Sequence, residues 1–516
     1  MKTLFLILAI LSAAPGFESA VLRLTGASVM EDLDESVIER YRALALRPLN
    51  LNSAGRSRLL SSGLLTPFQA ASLLDYRQRT GDVLSFAELA LVDGFPADFV
   101  EALRQFVTLD STAPPGQRPR NRLGADIMVR GSAREQDGWA YTYGSKVKLS
   151  YGDRAELNWG SRTTYSDQEF RLGTVSAAYY GRGVLGKVVL GHFGARFGQG
   201  LTQWSGFSMQ PYGSVASLRR SGTGFAATSS FSPELCGLAA DFDLGRWNIG
   251  AGYSVTGRLP VANVSYIGRT FTAGITATDK AVGVNWQVGI PNASIYGEAA
   301  WNNGPQAVAG LMWVPFYGSK VGAVARYISG TPEFIAGASL KAFDSVVAVS
   351  TRQFRATAKY APEFTAGPFT ITPSLRLAAR HTDAWRLEGR GEAGLALGGW
   401  VLRSRLDIVH ATALAWLVNA EAGHTAGPLK AYLRWTLFKV ENWPDRIYVY
   451  ERDAPGSFNV PAYYGKGYAL SLVSSYKPSR KHGFYCRISY ISYPWMTEFK
   501  PSKFEVKLQY QLSLLQ

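Results

Sequence analysis

The sequence predicts a mainly β protein, a large antiparallel transmembrane β-barrel of about 24 to 26 strands behind a small all-α domain at the N-terminus. Three observations carry that prediction. The 516 residues include 53 Gly, 26 Tyr, 26 Phe and 13 Trp, yet only 18% are charged, below the roughly 25% of an average soluble protein. After the first twenty residues there is no run of 18 apolar residues, so helices are excluded as the crossing elements. Beyond residue 122 the hydrophobic period is two, and the mean hydropathy of −0.04 suits strands with one apolar face and one polar face. The aromatic content excludes disorder, and 2 cysteines cannot make a disulfide scaffold. Cys236 and Cys486 are expected to be free, either buried or facing lipid.

The chain opens with Lys2, an apolar core from Leu4 to Ala14, and small residues at Gly16, Ser19 and Ala20. This is the layout of a cleaved secretory signal over 1–20, with the cut between Gly16 and Ala20. Residues 30–110 then take helical spacing. Asp34 is placed to cap a first helix that carries Leu33, Val37, Tyr41 and Leu44 near one face. Asn52 or Ser53 can cap a short helix ending before Gly63, and Pro67 opens another that Gly81 stops. Ser85 with Glu88 three residues on can cap a third, and Gly94 separates it from a fourth near Pro96. Gly63 and Gly94 stand at equivalent points of two helical hairpins, an internal duplication. Residues 111–121 form a Pro-rich linker in which Arg118 and Arg120, with Arg122 just beyond it, suit water or lipid head groups better than nucleic acid.

From 122 to 516 short strands recur about every 15 to 16 residues, turn included. The closing segment is the clearest. Phe504, Val506, Leu508, Tyr510, Leu512 and Leu514 alternate with Glu505, Lys507, Gln509, Gln511 and Ser513, as a lipid face alternates with a lumen face. Trp247, Trp286, Trp313, Trp385 and Trp400 are placed for aromatic bands at the two membrane surfaces. Two longer loops interrupt the rhythm, at 194–220 and 441–467. Their candidate surface residues are Arg196, Gln199, Trp204, Arg219 and Arg220 in the first, and Arg446, Tyr448, Arg452, Tyr463 and Tyr464 in the second. Arginine with aromatics and turn formers is the composition of a folded-in loop or a binding surface.

The run Leu49-Asn50-Leu51-Asn52 and the glycines Gly63 and Gly94 resemble the paired helix-hairpin-helix domain of the ComEA type. In that family each hairpin carries two glycines about a hydrophobic residue, and the backbone N–H groups hold a DNA phosphate. Here the hairpin turns read Gly63-Leu64-Leu65 and Gly94-Phe95-Pro96, so both second glycines are lost and Pro96 has no N–H to donate. The resemblance therefore implies a helical docking module, with nucleic acid unlikely as its partner. The phrases FGQGL (197–201), WSGF (204–207), DRIYVYERD (445–453) and PAYYGKG (461–467) resemble a Bacteroidetes outer-membrane family that joins such a domain to a large barrel. That resemblance implies an outer-membrane location, and an even strand number is expected to put both termini, with the N-terminal domain, in the periplasm.

Chemistry-bearing motifs are absent. The five histidines have no metal-ligand spacing, and there is no G-x-S-x-G or phosphate-gripping glycine loop. GRGVLGK at 181–187 reads as a turn between strands. No catalytic residue, metal ligand or cofactor is expected, and the chain is not expected to be an enzyme. The leading expectation is a structural or assembly component of an envelope complex, with outer-membrane lipid and other envelope proteins as partners. The alternative is a porin-like channel for small solutes, with DNA uptake third. A wide barrel with aromatic, arginine-rich loops motivates the first reading; a plug made only from this chain is the competing account of the same loops.

Overall fold

The computed structural model describes residues 16–27, 29–33, 35–110, 123–167, 169, 171–181, 183–206, 213–230, 233, 235–268, 270–290, 292–316, 319–496 and 500–515. The core of the leader, the proposed cap Asp34 and the linker arginines lie outside them.

Among the described residues, 24 antiparallel strands close into one barrel. Closure is made by the first strand, Leu123–Glu135, against the last, Lys503–Leu515, in register from Gly124↔Leu515 to Glu135↔Phe504. In the last strand Leu508 is 58% exposed on the outer face while Gln509 and Gln511 are buried on the inner one. The same alternation runs round the wall, putting Trp247, Trp313, Trp385 and Trp400 outside near strand ends. Two further segments pair without widening the circuit. Phe364–Ala366 continues the line of Phe354–Tyr360 on the same neighbouring strand. Gly224–Ala227 pairs with Leu185–Arg196 from within the long loop that follows it. The segment Ile447–Tyr448 is no wall strand: it pairs only with Ala462–Tyr463 in a small separate sheet.

Tight hairpins set the register. At Ser329-Gly330 both central residues have positive φ, 50° and 76°, the geometry that matches the right-handed twist of flanking strands. One rim carries short turns and both barrel ends, for example 245–246 and 341–342. The opposite rim carries the long connections 197–234 and 441–464. GRGVLGK spans a short-rim turn between Arg171–Tyr180 and Leu185–Arg196.

The N-terminal domain is helical, with α1 Phe17–Thr25, α2 Glu35–Leu46, α3 Arg56–Ser61, α4 Pro67–Thr80, α5 Phe86–Leu89 and α6 Ala97–Leu103. Thr66 and Gln69 cap α4 reciprocally, Gly81 ends it, and Ser85 accepts from the Glu88 amide. The expected cap at Asn52 or Ser53 is not made. Gly55 precedes α3, and Asn52 is fully buried, donating to the Val83 and Leu109 carbonyls and accepting from the Val83 amide. A buried amide with four hydrogen-bonding positions is more useful joining the two hairpins than capping one helix. Gly63 and Gly94 take φ 66° and 87° at the hairpin turns; a side chain there would meet Arg40 and Phe68. The domain has its own apolar core, including Ile38, Tyr41, Leu59, Leu73, Phe95 and Phe106.

This domain sits in the short-turn mouth of the barrel. Arg47 pairs with Asp126 at 2.7 Å, Ser57 donates to Asp243 at 3.0 Å, and Arg56 donates to the Gly245 carbonyl at 2.7 Å. From the opposite rim the two long loops fold inward to meet it. Arg42 of α2 donates to the Ala454 and Ser457 carbonyls at 3.2 and 2.8 Å. Helix and loops together make a plug.

Candidate functional site

Charged side chains on inward strand positions tie the plug to the wall at mid-lumen. Glu31 accepts from Arg405 at 2.7 Å and from the Tyr450 amide at 3.1 Å, with Arg390 3.3 Å away. Glu18 of α1 bridges Arg403 and Arg452 at 2.9 and 3.0 Å, and Arg452 continues to Glu421 at 2.9 Å. Glu451 receives Arg487 at 2.6 Å and the Tyr463 hydroxyl. Burial would push the Glu18 carboxyl up, but Arg452 and Arg403 outweigh it and hold it down to about 2. Glu31 is held well below the usual range in the same way, by Arg390 and Arg405. Asp32 next to it goes the other way: burial, with repulsion from Glu31, raises it to about 6 against the pull of Arg376.

Beside this network is a chamber of about 1500 Å³ at the short-turn rim. Its walls come from three parts of the fold: the plug, the first loop, and the strands from 287 to 320. Of the hairpin-turn residues, Gly63, Leu64, Leu65, Gly94 and Pro96 line it, while Phe95 is buried in the domain core. From the first loop, Arg196, Trp204, Arg219 and Arg220 line it. The structure thus brings two sets of sequence candidates together at one cavity. Arg23, Arg40 and Lys320 add positive charge to it, against Asp32 and Asp93.

The first loop holds its shape by local chemistry. Gly198 has φ +55° and lies where a side chain would strike Glu298, so that buried carboxylate can accept from the Gln199 amide at 2.5 Å and from Thr202. Gln199 and Arg220 exchange two hydrogen bonds at 3.0 and 3.2 Å. Trp204 lies between the Arg196 and Arg220 guanidiniums, 5.7 and 5.1 Å from its ring. The one-turn helix Val215–Leu218 fills an apolar pocket with Tyr296, Val324 and Ile335, and Tyr296 donates to the Leu218 carbonyl. Arg219 donates to the Ser294 hydroxyl at 3.3 Å.

The second loop's candidates do not reach the chamber. Arg446 caps the Trp443 carbonyl and the Tyr448 hydroxyl, Tyr448 offers its carbonyl to Arg405, and the Tyr464 carbonyl accepts from Lys500. With Arg452 and Tyr463 they clamp loop, plug and wall. A second, narrow cleft of about 40 Å³ shares Gly213 with the chamber and is lined by Arg355, Arg380 and Arg386 toward the long-loop rim. Sequence reasoning missed Glu298, Glu421, Arg390, Arg405 and Lys320. Their signal was a lone charge on the inward phase of a strand.

Neither a protein-family model nor a curated protein matches the chain. Among solved structures it is similar to Pseudomonas aeruginosa OpdL, at 8% identity over 77% of this chain and 99% of that one, with a TM-score of 0.34. It is similar also to the outer membrane protein OpdK of the same organism, at 9% identity over 76% and 99%, TM-score 0.32. Acinetobacter baumannii OccAB3 gives 8% identity over 76% and 99%, TM-score 0.33. The leading expectation of a structural or assembly component is corrected by where its contact surfaces lie. The surfaces expected to meet partners, 30–110, 194–220 and 441–467, meet one another and the wall instead. The chain is a closed antiparallel β-barrel with a lumen filled from its own sequence.

Proposed function

We propose that the protein is an outer-membrane channel for small solutes, closed in this state by its own helical plug and inward loops. The observation that supports it is the polarity of the plug–wall contact. The helical domain packs its apolar core with Tyr450 and Phe458 of the second loop and meets the wall through Arg47–Asp126, Ser57–Asp243, Arg58–Glu156 and Glu31 with Arg390 and Arg405. Ion pairs exchanged for water change the free energy little, so the contact between helical domain and wall can be released at little cost. The meeting of the wide chamber and the narrow cleft at Gly213 marks a constricted route along the wall.

Short turns and chain ends face the periplasm in barrels of this construction, which supports a periplasmic side for the helical domain. Its hairpin turns face the chamber, so the helix-hairpin-helix likeness serves a structural plug rather than nucleic-acid binding. Planar-bilayer recordings test the channel reading. The full chain should be closed with rare openings, and a variant lacking 17–109 should show large conductance. A plug-less barrel that inserts and does not conduct would reject it.

A further inference from the structure

We infer that the chamber is a binding site for a small polyanion, a solute carrying two or more carboxylate, phosphate or sulfate groups. The inference rests on the channel reading and names the class of solute it would take. Mid-lumen cations are already spoken for: Arg405 has Glu31 and Asp407, and Arg434 and Arg452 share Glu421. The chamber differs. Arg23 on α1, Arg219 on the first loop and Lys320 on the wall face it; Lys320 also feels Asp344 across the sheet, while among the described residues neither Arg23 nor Arg219 has an ion-pair partner.

Arg219 is the most telling. It is fixed by its neighbours, since Arg220 is stapled to Gln199 and Leu218 is held by Tyr296. Its guanidinium makes one hydrogen bond to a neutral hydroxyl, Ser294. Burial lowers its proton affinity, and no carboxylate opposes the shift. A guanidinium held in a partly dehydrated place without a counter-charge is unfavourable unless an anion arrives. The three cations stand on three different parts of the fold. A single anionic group could satisfy one of them; a solute with several would bridge plug, loop and wall, and the chamber's 1500 Å³ gives room for it.

Calorimetric titration of the detergent-solubilised full chain at low salt tests this, with citrate and pyrophosphate as probes and sucrose as the neutral control. Saturable binding of either anion is expected, absent for sucrose and weakening as salt is raised. R219Q and K320Q should each weaken it about tenfold, and R219K should retain most of it. Heat-modifiable gel migration reports that each variant is folded. No saturable anion binding at millimolar concentration, or an affinity indifferent to both substitutions in folded protein, overturns the inference. Calorimetry does not require conduction, so a failed site and a failed channel reading give separate results.

Discussion

At the residue scale, two neighbouring acids in the plug respond oppositely to burial because their partners differ. Glu31 is paired with two arginines, whereas one Asp32 carboxylate oxygen is buried without a hydrogen-bond partner. A carboxyl raised from 3.8 to about 6 destabilises the folded state above pH 6, and the penalty fades as pH falls from about 6 toward 4. Asp32→Asn should therefore stabilise plug seating at pH 7 by roughly 1–2 kcal/mol, discounted for partial exposure, and by nothing at pH 4. Urea-dependent proteolysis of the helical domain measures it. Glu18 has the opposite sign: its contribution is present above about 4.5 and is lost as pH falls through about 2. Glu18 pairs with Arg403 and Arg452, and Ala20 and Val21 are fully buried, so a cut that keeps these contacts in the mature chain is expected. Cleavage is expected after Gly16, with Ala14 and Gly16 as the small residues before the cut. An intact mass that starts beyond Glu18 would contradict it.

At the element scale, the first loop depends on one carboxylate. Glu298 accepts from two backbone amides and a hydroxyl in the turn Gly198–Thr202, and charge-assisted bonds of this kind contribute roughly 1.5–3 kcal/mol each way of counting. Glu298→Gln should loosen the loop by roughly 2 kcal/mol without unfolding the wall. Gly198→Ala should give the same defect from the other side, because its φ of +55° and the close approach of Glu298 both oppose a side chain. Hydrogen exchange over 197–206 should rise in both variants while the strand Ala293–Asn302 stays protected. The second loop is clamped by several arginines at once, so single changes there should have smaller effects.

At the scale of the whole molecule, the barrel and its plug are two bodies joined by polar contacts. A tether between them should block opening whatever the solute. Ser57 and Asp243 are in hydrogen-bonding contact at 3.0 Å, and Ser57→Cys with Asp243→Cys places thiols on both bodies. Oxidised, this variant should show no openings in planar bilayers under urea or high voltage; dithiothreitol should restore them. Cys236 and Cys486 are free; Cys486 is on another strand, and Cys236, on the same strand as Asp243, is seven residues along it, roughly 23 Å away, so they leave this test undisturbed. Openings that persist in the fully oxidised variant would place the route elsewhere than behind the helical plug.

The barrel was legible because strand periodicity is local: Phe504 to Leu514 alternate whatever surrounds them, and turn pairs such as Ser329-Gly330 mark where each strand ends. The count of strands and the paired glycines at Gly63 and Gly94 could be read for the same reason. The cap assigned to Asn52 failed because its amide is claimed by residues 31 and 57 positions away, a distance no local pattern reports. The lumen was likewise hidden. Arg23, Arg219 and Lys320 are separated by about 100 to 200 residues and look like ordinary polar positions until closure of the sheet puts them round one cavity. Sequence by itself determined the strands, their facing and the helical module, since each follows from contacts between near neighbours. Only the tertiary structure decided that module and loops fill the barrel rather than reach for partners, because that depends on which charges meet across the lumen.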